Sequence, residues 1–306
     1  MNNTIYTFFC LLITILNPIY SQQISDQDYK PKLPNPEYKL GKGPVVFIDE
    51  GHYNFHTKNG RYKGFSNVLE SDGYVVREYT GAFEKEKLAK GKILVISNAL
   101  HKTNVENWYV PVSSAFTKLE IETIKQWVTE GGSLFLIADH MPMGGAAKEL
   151  AGAFDFKFTN GFAMDTLAKG PAYFSLKGGN LVESPITKGR NSNEIVAQVA
   201  TFTGQAIKIP THAKPILVFD QRYVNRLPDT AWVFDKNTPT YNLKGWSQGA
   251  YAKFGKGRIV VFGEAAMFTT QLAGPKKIKV GMNRDDAKEN YKLLLNIIHW
   301  LDKKFD

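Results

Sequence analysis

The sequence predicts an α/β protein built on a doubly wound, mainly parallel sheet with helices on both faces. Residues 45–48 are a short apolar run rich in β-branched residues, bounded by Gly43-Pro44 and a polar turn, as in a buried parallel strand. Similar runs alternate with segments of helical periodicity along the chain. An amphipathic segment at 285–301 closes the pattern, with apolar positions at helical spacing.

The elements follow one another in a regular order. Thr117 and Glu120 form a capping box that starts one helix, and Gly131-Gly132 ends it. Strands are predicted at 44–48, 74–79, 92–97, 133–138 and 258–262. Helices are predicted at 61–71, 83–90, 117–130, 144–154 and 285–301. Residues 155–245 contain short β-like runs between turn clusters, which predicts an irregular β-rich extension or insertion.

The N-terminal region is predicted to be an export signal followed by a linker. Residues 5–16 are apolar but too few to span a bilayer comfortably, and small residues follow before Gln22. We therefore expect a signal peptide at 1–21, a secreted or periplasmic location, and no membrane span in the mature chain. Because no Lys or Arg precedes the apolar run, an uncleaved anchor is the alternative. Residues 22–43 contain several prolines and are expected to be a tether, leaving a domain at 44–306.

Composition limits the classes of partner. The chain of 306 residues is 43% hydrophobic and carries a net charge of +9, which favours acidic partners such as envelope polymers or anionic glycans. No long run of like charge and no nucleic-acid motif occurs, so nucleic acid is not expected as a partner. The one cysteine, Cys10, lies in the apolar run, so a cleaved chain has no thiol nucleophile or thiolate ligand.

Polar side chains gather just after the predicted parallel strands. Because ligands of open α/β sheets bind outside the carboxyl ends of the strands, we expect these side chains to share one rim. The candidate catalytic residues are His52, Asp139, His140 and Glu264. The candidate substrate-binding residues are Glu50, Asn54, Asn98, His101 and Trp108. Asp49 and His56 belong to the same group.

Two chemistries fit this group. Imidazole and carboxylate are the ligands of a catalytic divalent metal, for which His52, His101, Asp139 and His140 are the candidates. The same groups could act without metal as general acid and base. No compact metal motif is present, and any one of these residues alone is more simply explained as a helix cap or a turn residue. Nearby aromatic residues could form a platform for sugar rings: Tyr53, Phe55, Trp108, Tyr109 and Trp246.

The sequence contains one catalytic motif, but the segments around it are not those that the motif requires. Residues 245–249 fit G-x-S-x-G, in which Ser247 would be a nucleophile between a strand and a helix. The residues that follow predict a hairpin instead, which argues against a nucleophile there. No P-loop or dinucleotide-binding glycine motif follows a strand, so no nucleotide cofactor is predicted.

Three segments resemble the class I glutamine amidotransferase-like superfamily. VVFIDEGHYNFHT and LFLIADHMP are similar to a secreted family of amidotransferase-like domains of unknown function, and GKGRIVVFGE is shared more widely. The chain is more distantly similar to trehalose-utilisation-type proteins. The resemblance implies a flavodoxin-like sheet with a pocket at the strand ends. Asp139-His140 stands where such enzymes carry the cysteine nucleophile, and Glu264 takes the late acidic position, so the resemblance argues against glutamine amidotransferase activity.

Three functional hypotheses follow, of which the last is a structural envelope protein whose rim residues form only internal hydrogen bonds. The first is a hydrolase, metal-assisted or metal-free, acting on envelope or extracellular glycan or peptide material. The alternative is a non-catalytic module that binds a carbohydrate or an anion in the same pocket. An enzyme requires at least two of the rim groups to converge on one point, whereas a binding module would show aromatic rings lining the site and the histidines apart.

Overall fold

A computed structural model describes residues 23–167 and 170–306 as a mixed α/β fold. The proposed signal peptide and Cys10 lie outside these residues. The strands are β1 (Gln23–Ser25), β2 (Val45–Asp49), β3 (Val75–Tyr79), β4 (Ile93–Ser97), β5 (Ser133–Ile137), β6 (Lys157–Phe158), β7 (Phe162–Asp165), β8 (Ala172–Ser175), β9 (Gln198–Thr201), β10 (Ile207–Lys208), β11 (Lys214–Val218), β12 (Tyr223–Arg226), β13 (Thr240–Asn242), β14 (Ser247–Phe254), β15 (Gly257–Phe262), β16 (Thr270–Ala273) and β17 (Ile278–Gly281). The helices are α1 (Lys63–Ser71), α2 (Lys85–Leu88), α3 (Lys118–Glu130), α4 (Met143–Ala146), α5 (Lys148–Gly152), α6 (Pro185–Lys188) and α7 (Asn290–Leu301).

A large central sheet carries the fold, and its main part is parallel. The strand order is β3-β2-β4-β5-β15-β14-β10-β6, with β11 also paired to β14. The five strands from β3 to β15 run parallel, and the remaining pairs are antiparallel. The carboxyl ends of the five parallel strands therefore lie along one edge, where the candidate site residues follow them.

Alternation along the parallel strands separates two apolar cores. In β2, Val46 and Ile48 contribute to one core while Phe47 contributes to the other. The first core also contains Leu294 of α7, and the second contains Ile124 of α3. Because successive side chains of a strand point to opposite faces, a strand covered on both faces reads as one continuous apolar run.

Residues 155–245 are β-rich, as expected, but they do not form one unit. Strands β6, β10 and β11 extend the central sheet, β7, β12 and β13 form a three-stranded antiparallel sheet, and β8 pairs with β9. Strand β1 joins β16 and β17 in a further antiparallel sheet. Strand β12 pairs antiparallel with both β7 and β13. This pairing brings Phe162 and the loop after Arg226 towards the edge where the parallel strands end.

The expected tether at 22–43 is wrong for the residues that the structure describes. Gln23–Ser25 pairs with β16, and three apolar side chains of the segment pack against the first core: Tyr29, Leu33 and Tyr38. The proline content had suggested an extended linker, but prolines also suit an extended segment that lies along a surface. The aromatic and leucine side chains supply the apolar area that holds it there.

Several helix boundaries differ from the expectations. Helix α1 begins at Lys63 instead of residue 61, and α2 covers Lys85–Leu88 instead of 83–90. The segment predicted as one helix at 144–154 is divided into α4 and α5 at Ala147. The closing helix begins at Asn290, after a single 3₁₀ turn at Asp285–Ala287. The capping box of Thr117 and Glu120 is present as predicted. Ser247 begins strand β14 and is buried, so it has no nucleophile geometry. Across 23–167 and 170–306, no helix is both long and apolar enough to cross a membrane.

Candidate functional site

The first polar cluster at the rim is a histidine held between two carboxylates. Asp49, the last residue of β2, contacts Nδ1 of His52 at 2.9 and 3.0 Å, and Oε1 of Glu120 contacts Nε2 of the same ring at 2.9 Å. The imidazole stacks on Phe83 at 4.6 Å between ring centroids. Burial acts to lower the pKa of His52, but the hydrogen bonds and charges of Asp49 and Glu120 outweigh it and raise that pKa.

His52 therefore has no ring nitrogen left for a ligand. Both nitrogens are hydrogen-bonded inside the protein, and the residue is buried. Its expected role as a metal ligand or acid–base group would require breaking a buried charge pair, which is costly. The sequence pattern does not reveal Glu120 as the second partner of His52, because the two residues lie 68 positions apart. Glu120 also caps helix α3 through Thr117, so the cluster connects β2 with the start of α3.

Two asparagines organise the backbone of the rim. Asn54 donates to Asp49 at 2.9 Å, and its side-chain oxygen accepts the backbone N–H of His52 at 3.0 Å. Asn98 has a φ of 48°, which asparagine tolerates better than most residues, and its Oδ1 accepts the N–H of Asp139 at 2.8 Å. Both were expected to contact substrate, but their side chains are hydrogen-bonded within the protein.

A second buried histidine lies behind this edge. Nδ1 of His56 is 3.1 Å from the Ser97 hydroxyl, which in turn donates to the hydroxyl of Tyr62 at 2.9 Å. The His56 ring stacks on Tyr62 at 4.7 Å. Burial, and then the positive charge of Arg61, lowers the pKa of His56 to about 3. His56 is therefore neutral at physiological pH.

Asp139 and Glu264 lie at the ends of β5 and β15. Asp139 accepts the N–H of His140 at 2.8 Å, and its carbonyl accepts the side-chain amide of Gln205 at 2.9 Å. Glu264 is fully buried and accepts the N–H groups of Ala266 and Met267 at 2.9 and 2.8 Å. Burial raises the pKa of Glu264, and the negative charge of Asp139 raises it further. Glu264 therefore supports the loop after β15 instead of facing a ligand.

His140 is surrounded by aromatic rings. Its ring stacks on Phe162 at 4.5 Å and lies 4.7 Å from Trp232 and 6.3 Å from Trp108, as centroid distances. Nδ1 donates to the carbonyl of Met141 at 2.8 Å. Nε2 has no hydrogen-bond partner in the part of the chain that the structure describes, and the residue is half-buried. The ring is thereby held in the tautomer that leaves the Nε2 lone pair available.

We call the rings around His140, with Phe55 beside them, the aromatic rim: Phe55, Trp108, Phe162 and Trp232. Two loops meet here, because Ala231 donates to the carbonyl of Trp108 at 2.8 Å and Tyr109 pairs with Thr230. Trp232 is 50% exposed and has a φ of 66°, a left-handed conformation that costs a bulky residue energy. An exposed tryptophan held in a strained conformation is typical of a functional surface.

The other expected site residues do not join this group. His101 caps a short 3₁₀ turn, with Nδ1 2.8 Å from the hydroxyl of Thr103. Glu50 accepts the N–H of Lys58 at 2.7 Å, and burial raises its pKa. Trp246 packs against Tyr241 at 5.7 Å, in a different part of the fold from the other candidate aromatics.

The metal hypothesis gains no support from this geometry. Among residues 23–167 and 170–306, no group of three or more His, Cys, Asp or Glu side chains is placed to hold a metal ion. The expected ligands are separated by their own partners: both nitrogens of His52 are taken, and His101 contacts Thr103. The expected ligands follow strands that end at the same edge of the sheet, but their side chains do not converge on one point. Each loop orients its own side chains.

Several residues of the rim were not found from the sequence. Phe162 and Trp232 come from the β-rich region, whose pairing the sequence pattern did not reveal. Gln205, which donates to the carbonyls of Ala138 and Asp139, comes from the same region. Arg61 was missed because the sequence pattern places it at the start of the helix predicted at 61–71, whereas the helix begins at Lys63. A signal was present in Ala231-Trp232-Val233-Phe234, an apolar cluster flanked by turn residues.

Comparison with known proteins gives a fold and no family. No protein-family profile matches the chain, and no curated protein sequence matches it. The N-terminal domain of mmIFT52 is similar over 84% of this chain and 97% of its own, with 14% identity and a TM-score of 0.58. A putative ThuA-like protein from Bacteroides uniformis is similar over 88% and 95%, with 12% identity and a TM-score of 0.48. A cytoplasmic protein from Salmonella typhimurium LT2 is similar over 84% and 98%, with 13% identity and a TM-score of 0.49.

These similarities concern architecture alone, because all identities are far below the level at which function transfers. The function of the rim must therefore be argued from its residues.

We predict that His52 is structural. His52→Ala should lower the free energy of unfolding by about 3–5 kcal/mol, because Asp49 and Glu120 would be left buried without their shared partner. Urea unfolding measures this loss. The matched control is His101→Ala, which removes a half-buried histidine and should change stability by less than about 0.5 kcal/mol. Equal effects of the two substitutions would contradict the structural role.

The low pKa of His56 predicts a pH-dependent stability. A histidine in the unfolded chain titrates near pH 6.5, whereas native His56 stays neutral down to about pH 3. Below about pH 6.5 the unfolded state therefore binds one more proton, and stability falls by up to about 1.4 kcal/mol per pH unit. In His56→Gln this contribution disappears. Subtracting the unfolding free energies of the two proteins between pH 7 and 4.5 isolates this contribution. A flat difference would contradict the lowered pKa, because it would mean that native and unfolded His56 take up protons equally.

Proposed function

We propose that the aromatic rim is a carbohydrate-binding site and that the protein is a non-catalytic binding module. The observation that carries this proposal is the surrounding of His140 by Trp108, Phe162 and Trp232, with Nε2 free of a hydrogen-bond partner in the described chain. Such a surface offers an apolar wall beside a fixed hydrogen-bond acceptor.

The chemistry of this surface suits a sugar ring. A pyranose has an apolar face of C–H groups and an edge of hydroxyls. The half-exposed indole of Trp232 can stack on the apolar face, while Nε2 of His140 accepts a hydroxyl proton. Asp139, the adjacent residue, is buried and accepts the N–H of His140, so Nε2 of His140 is the acceptor that this surface offers to hydroxyl groups.

Binding fits the geometry better than catalysis does. The histidines expected to act together are separated, since His52 is enclosed by Asp49 and Glu120 while His140 lies among aromatic rings. Glu264 is fully buried and occupied by backbone N–H groups. Acid–base catalysis requires two groups within hydrogen-bond reach of the same reacting atoms.

The proposal extends to the setting of the site. We propose a flavodoxin-like, amidotransferase-like arrangement of the parallel sheet, supported by the order of the parallel strands and the motifs that follow them. We also propose that the protein is exported, which rests on the apolar segment at 5–16. The ligand would then be envelope or extracellular glycan.

We expect Trp232→Ala to weaken glycan binding more than tenfold, because the substitution removes the exposed stacking surface while leaving the core intact. A glycan array followed by calorimetry on the best ligand measures this. Tyr173→Ala is the control, since it removes an aromatic ring of similar exposure on β8. Equal binding by both variants, or no binding by the wild type, would refute the site.

A hydrolase remains the second candidate, favoured by one observation. Asp139 is adjacent to His140, whose Nε2 has no hydrogen-bond partner in the described chain. If the module is only a binder, incubation with its bound oligosaccharide should release no new reducing ends. Release of products by the wild type, abolished in Asp139→Asn and in His140→Gln, would establish the hydrolase in place of the binding module.

A further inference from the structure

Arg61 is a half-buried cation without a carboxylate partner. Its guanidinium carbon lies 3.8 Å from the centroid of the Phe55 ring. In the described part of the chain, Arg61 forms no salt bridge and no side-chain hydrogen bond, whereas four other arginines pair with carboxylates: Arg190, Arg222, Arg258 and Arg284. Arg226 also lies over a phenylalanine ring, but it donates to the carbonyl of Asp235.

An unpaired charge in this position is costly. Burial lowers the pKa of Arg61, and no neighbouring carboxylate offsets that effect. The cation–π contact with Phe55 recovers only part of the lost hydration. Because partly buried charges in proteins are normally paired, a missing partner at a surface suggests an anion that arrives with a ligand.

Arg61 belongs to the same surface as His140. Its stacking partner Phe55 lies edge-on to Trp108 at 5.8 Å, and Trp108 lies 6.3 Å from His140. Phe55 is fixed at the rim because its N–H donates to the carbonyl of Asn98 at 2.9 Å, just beyond the end of β4. A continuous row of rings therefore connects the guanidinium with the free imidazole nitrogen.

We propose that the ligand of the aromatic rim is an acidic glycan, with a sugar carboxylate on Arg61 and a sugar hydroxyl on His140. This inference rests on the proposed carbohydrate function and specifies its ligand class. The guanidinium fork matches a carboxylate in bidentate geometry. Asp139 repels a second negative charge, so the carboxylate lies at the Arg61 end of the row.

The charge balance favours a monoanion. One unpaired guanidinium offers a single positive charge, since the nearby Lys58 lies 4.0 Å from Glu78. A phosphate dianion would leave excess negative charge near Asp139 and Glu50. A uronic acid carries one charge per ring, and the net charge of +9 favours the approach of such a polymer.

The test compares matched acidic and neutral ligands. Oligogalacturonate and hyaluronan fragments, each alongside its methyl ester, are titrated into the wild-type protein by calorimetry at low and high salt. We expect each acidic fragment that binds to bind at least about tenfold tighter than its methyl ester at low salt. At high salt the ratio of the two affinities should be smaller. Arg61→Gln should abolish the preference for the acid, and Arg61→Lys should keep part of it, because it retains the charge without the fork.

Two controls separate recognition from folding. Arg284→Gln changes an arginine that lies near Phe202 and pairs with Asp286, and it should leave the preference for the acid unchanged. Thermal unfolding of each variant shows whether the fold persists. Trp232→Ala should weaken acid and ester alike, since stacking does not depend on the carboxylate.

The outcomes distinguish this inference from the function on which it rests. Equal binding of acid and ester by the wild type, or a preference that persists in folded Arg61→Gln, would overturn the acidic ligand and leave carbohydrate binding in place. Tighter binding of sulfated than of carboxylated fragments would also overturn it, by replacing the carboxylate with a sulfate ester. Failure of every acidic and neutral oligosaccharide to bind would overturn carbohydrate binding itself.

Discussion

The imidazole of His52 joins two carboxylates that come from distant parts of the chain. Asp49 ends β2 and Glu120 lies in the first turn of α3, and each holds one ring nitrogen at 2.9 Å. Neither carboxylate could remain buried at low cost without this shared donor. Glu120 also completes the capping box with Thr117, so the same contact fixes the start of a helix. The position of the first rim loop therefore depends on this bridge.

Because Asp49, His52 and Glu120 hydrogen-bond to one another, they are not available to a ligand at the carboxyl edge of the parallel strands, although their residue types suggest a site. The acceptors of Asn54 and Asn98 are directed to backbone N–H groups, and Glu264 supports the loop that follows β15. Polar groups in a buried setting are satisfied locally because an unsatisfied one is expensive. His140 and Arg61, in contrast, keep unpaired functional atoms beside the aromatic rim.

These two residues also share a physical setting. Each ring or guanidinium is supported by an aromatic face, His140 by Phe162 and Arg61 by Phe55. Aromatic support fixes the orientation of a polar group without occupying its hydrogen-bonding atoms. The row of rings has a hydrogen-bond acceptor, Nε2 of His140, at one end and a cation, Arg61, at the other. An acidic sugar, which carries both hydroxyl groups and a carboxylate, would match this arrangement.

The sequence by itself determined the parallel strands, because a strand buried on both faces must be apolar at every position, as Val46, Phe47 and Ile48 are. It also determined which polar residues follow those strands, and it located the capping box at Thr117. Tertiary structure decided which of those residues stay free. Glu120 lies 68 positions from His52, and Trp232 reaches His140 through antiparallel pairing that local periodicity does not encode. The packed segment around Tyr38 was missed for the same reason: a side chain's partner is set by long-range contacts, whereas sequence patterns report only local ones.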